Sequence, residues 1–212
     1  MNNPIAVIQG NMEVICDDLG PSAQALKTEL ALVDAQVHRI DVLVNKLLQF
    51  ARPEQYAGVG EYTRPNGVIR DTLPLVLHLL NNVHIDLVLD LKSGRIIVMN
   101  RIELQQVAIN FMVKAIHAMP DSGELRASTE NHLVDSHEGI QITLEDSGAA
   151  MSPKIPKRIF DPFFTTKSSE GTGLVLSISH KLVTRSEGEI RVDSDKKNGT
   201  RFHVFFKTIA DA

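Results

Sequence analysis

Tryptophan is missing from the 212-residue sequence, and aromatic residues make up only 5% of it. Surfaces that stack unpaired bases on aromatic rings need more. Cysteine occurs once, as Cys16. That excludes an intrachain disulfide framework and any multi-cysteine zinc site, and it fits a reducing compartment, so cytoplasmic placement is expected. Positive charge is not in excess: 22 Lys and Arg stand against 26 Asp and Glu, a net charge of −4. No nucleic-acid partner is expected, because a sequence-blind grip on phosphates requires clustered positive charge. Apolar runs are short. The longest candidate, Leu73 to Leu80, holds Pro74 and His78, far from the roughly 18 residues of a membrane span. The opening Met1-Asn2-Asn3-Pro4 has no basic region, so no secretory leader is expected. What is present is a 43% hydrophobic, 23% charged composition, the balance of a chain that buries a core. The length suits one large or two small domains.

The periodicity changes part-way along the chain. Ile5, Ile8, Met12, Ile15 and Leu19 recur at helical spacing. Gly20-Pro21-Ser22 breaks the pattern, and Ser22 is placed to cap the next helix. A second stripe, Leu26, Leu30, Val33, Val37, Ile40, Val44 and Leu47, keeps a heptad seam. The helix is expected to end near Phe50, ahead of Arg52-Pro53. Two helices alone cannot bury stripes this long. A homodimer that completes a four-helix bundle is one solution; packing on the rest of the same chain is the other.

Residues 53–66 hold Pro53, Gly58, Gly60 and Pro65 and read as a linker with a short strand. Beyond it the types mix. Helices are expected over Val68–Leu80, Ile102–Met119 and Leu174–Arg185. Strands are expected over Ile85–Leu91, Arg95–Met99, Leu125–Glu130, Ile140–Glu145, Ile190–Ser194 and Arg201–Phe206. A polar turn over His132 to His137 joins the middle pair, and Asn198-Gly199 the last. The fold class is α+β: a helical hairpin, residues 1–52, then a sandwich over 67–212 with one mostly antiparallel sheet under a helical layer.

Four segments of the second block carry chemistry. On the long helix Asn110, Lys114 and His117 recur at spacings that share one face, while Phe111, Met112, Ala115 and Ile116 turn toward the core. At a strand end, Glu145-Asp146-Ser147-Gly148-Ala149-Ala150 sets a carboxylate before a tight turn, able to receive the exocyclic amine of adenine or to serve as an ordinary loop. Ile159 to Lys167 sets a buried cluster of Phe160, Phe163 and Phe164 beside Thr165, Thr166 and Lys167. Glu170-Gly171-Thr172-Gly173-Leu174 opens a helix whose free backbone N–H groups make an anion site. Taken singly, each of these also reads as plain structure. Their order and spacing, ending in Asn198-Gly199-Thr200-Arg201-Phe202, is specific.

Together they resemble the catalytic, ATP-binding domain of sensor histidine kinases, within the wider family of gyrase, Hsp90 and MutL ATPases. The segments are similar to that family's N box, first Gly box, F box and second Gly box. The resemblance covers essentially the whole chain, with residues 1–52 similar to the dimerisation and phosphotransfer hairpin. It implies two-component signalling, ATP or ADP as ligand with Mg²⁺, a homodimer, and a response-regulator receiver domain as partner. It implies nucleotide contacts from Asn110, Lys114 and His117 in the N box and from Asp146 and Gly148 in the first Gly box. Phe160, Thr165, Thr166 and Lys167 would add those of the F box, and Gly171, Gly173 and Thr200 the rest. Asn110 is the implied metal ligand. Asn2-Asn3-Pro4 resembles the subclass whose acceptor segment reads His-Glu-x-Asn-Asn-Pro. Its His and Glu are not among these residues, and Asn3 is the nearest part of that motif. No autophosphorylation at that site is therefore expected of these 212 residues.

Three positions depart from the family pattern. Lys114 stands where a second Asn would hold Mg²⁺, and an ammonium repels a cation rather than ligating it. Ala150 stands where the first Gly box has its last glycine. Val175 stands where the second Gly box has one, adding β-branched bulk. The expectation is a histidine-kinase core impaired or inactive in phosphoryl transfer. A non-catalytic dimeric adaptor that docks a receiver domain or another kinase is the alternative. Another ATPase of the superfamily is a third reading, disfavoured by the heptad hairpin and the Asn-Asn-Pro opening.

Overall fold

The computed structural model describes residues 4–51, 60–80, 84–134, 137–166 and 172–208. The chain divides into two compact units, Met1–Gln55 and Tyr56–Ala212.

In the first unit α1 (Pro4–Leu19) leads through a 3-10 stretch (Gly20–Leu26) into α2 (Lys27–Ala51). Gly20 takes a left-handed φ of 49°, and Pro21 sits at the first positions of the 3-10 stretch. These residues tighten the chain instead of leaving an open loop. Ser22 therefore lies inside the 3-10 stretch and is not the cap of α2, which starts at Lys27. The apolar stripes form as expected, but only Ile5 and Val37 are buried, while Ile8, Ile15, Val33, Ile40, Val44 and Leu47 are exposed.

The second unit opens with β1 (Tyr62–Thr63), α3 (Pro65–Leu77) and a 3-10 turn (His78–Leu80). Then come β2 (His84–Leu91), β3 (Ile97–Val98), α4 (Arg101–Ala118), β4 (Ser122–Val134) and β5 (His137–Asp146). It closes with α5 (Val175–Arg185), β6 (Glu189–Asp195) and β7 (Gly199–Lys207). Strands β1 and β3 form a small antiparallel sheet. The main sheet has the order β2-β4-β5-β7-β6. Strand β2 runs parallel to β4, and every other pair is antiparallel. The parallel pair follows from the chain passing through α4 between the two strands, a crossover that returns it in the same direction.

One face of the sheet is apolar. Leu125 and Ala127 of β4, Ile140, Ile142 and Leu144 of β5, and Phe202, Val204 and Phe206 of β7 are all buried in a single core. Helix α4 supplies Leu104, Val107, Phe111, Met112, Ala115 and Ile116 to the same core. Phe111 stacks on Phe202 with centroids 4.6 Å apart and planes 7° from parallel. Asn100 caps α4, its side-chain oxygen accepting from the N–H groups of Ile102 and Glu103.

Two boundaries differ in kind. The strand expected over 95–99 contracts to Ile97–Val98, because only those residues find a partner in Tyr62–Thr63. The polar turn expected over 132–137 is shorter, since β4 continues to Val134, β5 begins at His137, and those two residues pair. Leu133 and Val134 suit a strand, and no Gly or Pro stops it there. Half of the linker expected over 53–66, residues 53–59, lies outside the described residues; of its remainder, Tyr62–Thr63 is strand and Pro65 opens α3.

Candidate functional site

Asp146 ends β5, opposite Leu125 of β4 and Thr200 of β7. It is 2% exposed. Its Oδ1 accepts the Gly148 N–H at 2.9 Å. Burial pushes this carboxyl up to about 6, against the opposing pull of the Gly148 and Thr200 backbone N–H groups. The chain then turns against the end of α4, where the Ala149 N–H donates to the Ala118 carbonyl at 3.2 Å. A Cβ on Gly148 would lie 2.5 Å from that carbonyl oxygen, so glycine is required for this approach. Gly199, at φ 74°, is required for the same kind of reason: a Cβ there would meet the Asp146 carbonyl oxygen. The Thr200 hydroxyl lies 3.1 Å from Ser194 Oγ, which in turn accepts the Met151 N–H at 2.8 Å. The structure thus brings Asp146, Gly148 and Thr200 together beside the C-terminal end of α4.

Along α4 the three polar residues do share a side, but not an environment. Asn110 is buried, whereas Lys114 and His117 are exposed. Helix α5 covers the position of Asn110. Asn110 Nδ2 donates to Ser179 Oγ at 2.9 Å, and Ser179 donates to the Val175 carbonyl at 3.0 Å. Gln106 Nε2 donates to Asn110 Oδ1 at 3.2 Å. Sequence reasoning does not single out Ser179 or Gln106. The available signal was spacing, since both Gln106–Asn110 and Val175–Ser179 are four apart on their helices.

The segment from Met151 to Phe164 is a run of turns, tied by Arg158 N–H to Ile155 O at 2.8 Å and Asp161 N–H to Arg158 O at 2.8 Å. The expected buried cluster of three Phe does not form. No strand or helix lays the rings on one side. Phe160 lies 5.3 Å from the His180 ring, Phe164 sits 4.6 Å under the Arg158 guanidinium, and Phe163 is 62% exposed. Phe163 has φ 64°, and its N–H donates to the Gly173 carbonyl at 3.1 Å. Gly173 is itself at φ 67°, and a Cβ on it would lie 2.3 Å from the Phe163 carbonyl carbon. The F-box-like and second Gly-box-like segments are thereby stitched together through backbone. Thr165 and Thr166 are exposed. Asn3, Lys167 and Gly171 lie outside the described residues.

Residues 99–209 match the family described as histidine kinase-, DNA gyrase B-, and HSP90-like ATPase. The chain belongs to that family. Residues 1–56 match the His Kinase A phospho-acceptor domain, and the two matches together make this a sensor histidine kinase core. The chain is 30% identical to the signal transduction histidine-protein kinase AtoS of Escherichia coli, over 95% of its length and 32% of that protein. It is 28% identical to sporulation kinase A of Bacillus subtilis, over 97% of its length and 32% of that protein. It therefore spans about a third of those relatives' length. Among solved structures, full-length ShkA in complex with AMPPNP shares the fold at a TM-score of 0.72 and 22% identity, over 87% of this chain and 40% of that one.

The histidine kinase core holds no group of three or more His, Cys, Asp or Glu placed for a metal among its described residues. At the segment of α4 that resembles the N box, the donor set is one neutral amide oxygen, on Asn110, followed one turn later by the Lys114 ammonium. That set does not fit a divalent cation. Among the described residues no helix is long and apolar enough to cross a membrane.

Proposed function

We propose that this histidine kinase core binds ATP or ADP through its second unit but is impaired in magnesium-dependent phosphoryl transfer. The family fold is an ATP-binding one, and ShkA of the same fold was solved with AMPPNP. The adenine amine would meet the Asp146 carboxyl, with Gly148 and Thr200 shaping that corner. Thr165, Thr166, Lys167, Gly171 and Gly173 would line the phosphate side. The observation that carries the impairment is Lys114, one helical turn from Asn110 on the exposed part of α4. It sets a positive charge where this family's chemistry needs a cation ligand. Phosphoryl transfer relies on the metal to bridge the phosphates and neutralise charge. Val175 adds to this, because it opens α5 where the resemblance has glycine.

The hairpin unit would dimerise through its exposed seam and present a surface to a receiver domain. A second reading, a non-catalytic dimeric adaptor, draws on the same Lys114 and Val175. The experiment is calorimetric titration of ATP with magnesium and then with EDTA. Affinity is expected to be nearly indifferent to magnesium in the native chain and to gain from it in Lys114→Asn with Val175→Gly. No transfer is expected to an intact acceptor hairpin supplied in trans. A tenfold gain with magnesium in the native chain, or phosphorylation of that hairpin, overturns the impaired reading. Absence of any nucleotide binding favours the adaptor.

A further inference from the structure

We propose that Ser179 is a positioning residue, which decides which end of the Asn110 carboxamide is offered to a ligand of the N box. The argument rests on the nucleotide-site reading above for its consequence, but not for its geometry. A serine hydroxyl has one hydrogen. In Ser179 that hydrogen goes to the Val175 carbonyl at 3.0 Å. What remains toward α4 is a lone pair, so only a donor can face it. Asn110 meets it with Nδ2 at 2.9 Å, in a contact that is buried. The Asn110 oxygen is thereby turned away from α5, and Gln106 Nε2 reaches it at 3.2 Å from the exposed side of α4. The oxygen and nitrogen of an amide are alike in shape, and the hydrogen-bond network is what tells them apart. Here each link fixes the next, from Gln106 through Asn110 and Ser179 to Val175.

The consequence is chemical. With Nδ2 committed inside, Asn110 presents an acceptor. An acceptor suits a cation or a donor group and is wrong for a phosphate oxygen. Gln106 is exposed and four residues away on the same helix, so its hydrogen bond is the one an incoming ligand displaces. The Ser179–Asn110 bond is buried between two helices and stays. Val175, one of the three residues that depart from the family pattern, supplies only its backbone carbonyl. The device therefore survives that substitution.

The test compares native protein with Ser179→Ala and Ser179→Thr. In proton–nitrogen correlation spectra the Asn110 side-chain NH₂ pair, assigned by its loss in Asn110→Ala, is expected to be shifted and slow to exchange. Ser179→Ala is expected to move it to the free-amide position with fast exchange, and Ser179→Thr, which keeps the hydroxyl, to restore it. In a Lys114→Asn background, Ser179→Ala is expected to cut the magnesium-dependent gain in ATP affinity about tenfold, the scale for loss of a group that orients a ligand. An unchanged Asn110 signal in folded Ser179→Ala overturns the proposal, as does a magnesium gain in Lys114→Asn that Ser179→Ala leaves intact. If Lys114→Asn shows no magnesium gain even with Val175→Gly added, the reading of position 114 falls, and the amide signal still decides the role of Ser179.

Discussion

The two units treat the same kind of residue in opposite ways. In the sheet unit, Val68, Ile97, Met99, Phe111, Met112 and Leu125 are wholly hidden. In the hairpin unit, Ile8, Leu32, Val33, Ile40 and Leu47 lie between 44% and 60% exposed in the single chain. Both stretches carry clean apolar periodicity, so pattern alone does not say whether a stripe is covered by its own chain. A sheet with three helices laid on one face closes a core. A pair of helices has one mutual contact line and leaves the rest of each stripe open. The hairpin thus asks for a second surface, and the sheet unit does not.

The sharpest way to break that contrast is to charge the open seam. Val33→Asp with Ile40→Asp, both exposed in the single chain, places four carboxylates in a bundle of two chains, each costing several kcal/mol when buried unpaired. Light scattering at micromolar concentration is expected to report dimer for the native chain and monomer for the variant. Hydrogen exchange in β5 and β7 is expected to stay native in both. A native chain already monomeric at that concentration, or a variant that still dimerises, removes the bundle.

The next effect lies in the sheet unit and depends on pH. Asp146 has a folded pKa of about 6 against an ordinary value of 3.8. The folded state holds its proton more tightly than the unfolded chain. This contribution to stability is present below about pH 4, falls as pH rises through about 6, and is gone at neutrality. Two pKa units correspond to about 3 kcal/mol. Asp146→Asn keeps an oxygen for the Gly148 N–H and cannot ionise. It is expected to stabilise the sheet unit at pH 7 by up to about 3 kcal/mol, with the gain vanishing toward pH 4. Exchange rates of β5 and β7 amides across that range measure it. The same variant is expected to lose ATP, because an amide can present a donor where the adenine amine needs an acceptor. More stability with less binding would mark Asp146 as a residue kept for its ligand. A pH-independent difference would show that its carboxyl is not strained by burial.

Much of this molecule is legible in its sequence. Heptad spacing gives the hairpin, alternation gives the strands around Asp146, and Asn198-Gly199 marks the last turn. What is not legible is contact across the fold. Three Phe in one segment suggest a buried cluster. Yet the segment is a chain of turns, and Phe163, on a left-handed backbone, is exposed. Asn110, Lys114 and His117 share a helix face, but α5 covers the position of Asn110 while the other two are exposed. Spacing fixes direction around one helix and says nothing of where a second helix stops. The glycines of the Gly boxes carry a similar lesson. Gly148 and Gly173 are read as parts of a nucleotide site, and each is also needed because another backbone lies against it.

The smallest expected effect sharpens the comparison from the self-contained side. Helix α5 ends in a tight pair of bonds. The Gly188 N–H donates to the Val183 carbonyl at 2.9 Å, and the Glu187 N–H to the Thr184 carbonyl at 3.0 Å. This is the Schellman arrangement, in which the residue after the cap takes a left-handed conformation and is usually glycine. Here that residue is Glu187, at φ 57°. The glycine of the sequence falls one place later, at Gly188, where a Cβ would lie 2.6 Å from the Phe206 ring. Packing claims the glycine, and the turn is left with a glutamate. A left-handed non-glycine residue costs roughly 1–2 kcal/mol, offset by roughly 0.5–1 kcal/mol of extra chain entropy lost on ordering a glycine. Glu187→Gly is therefore expected to stabilise the sheet unit by about 0.5–1 kcal/mol. At about 2–4 °C per kcal/mol for a domain of this size, that is a rise of a few degrees at most. The rise is expected to be the same at every protein concentration, because this unit closes its own core, while the hairpin's melting shifts with concentration. Calorimetry over a hundredfold dilution series reads both. A drop in stability on Glu187→Gly would show that the glutamate side chain, which lines one cavity with Arg185 and Lys207, contributes more than its backbone costs.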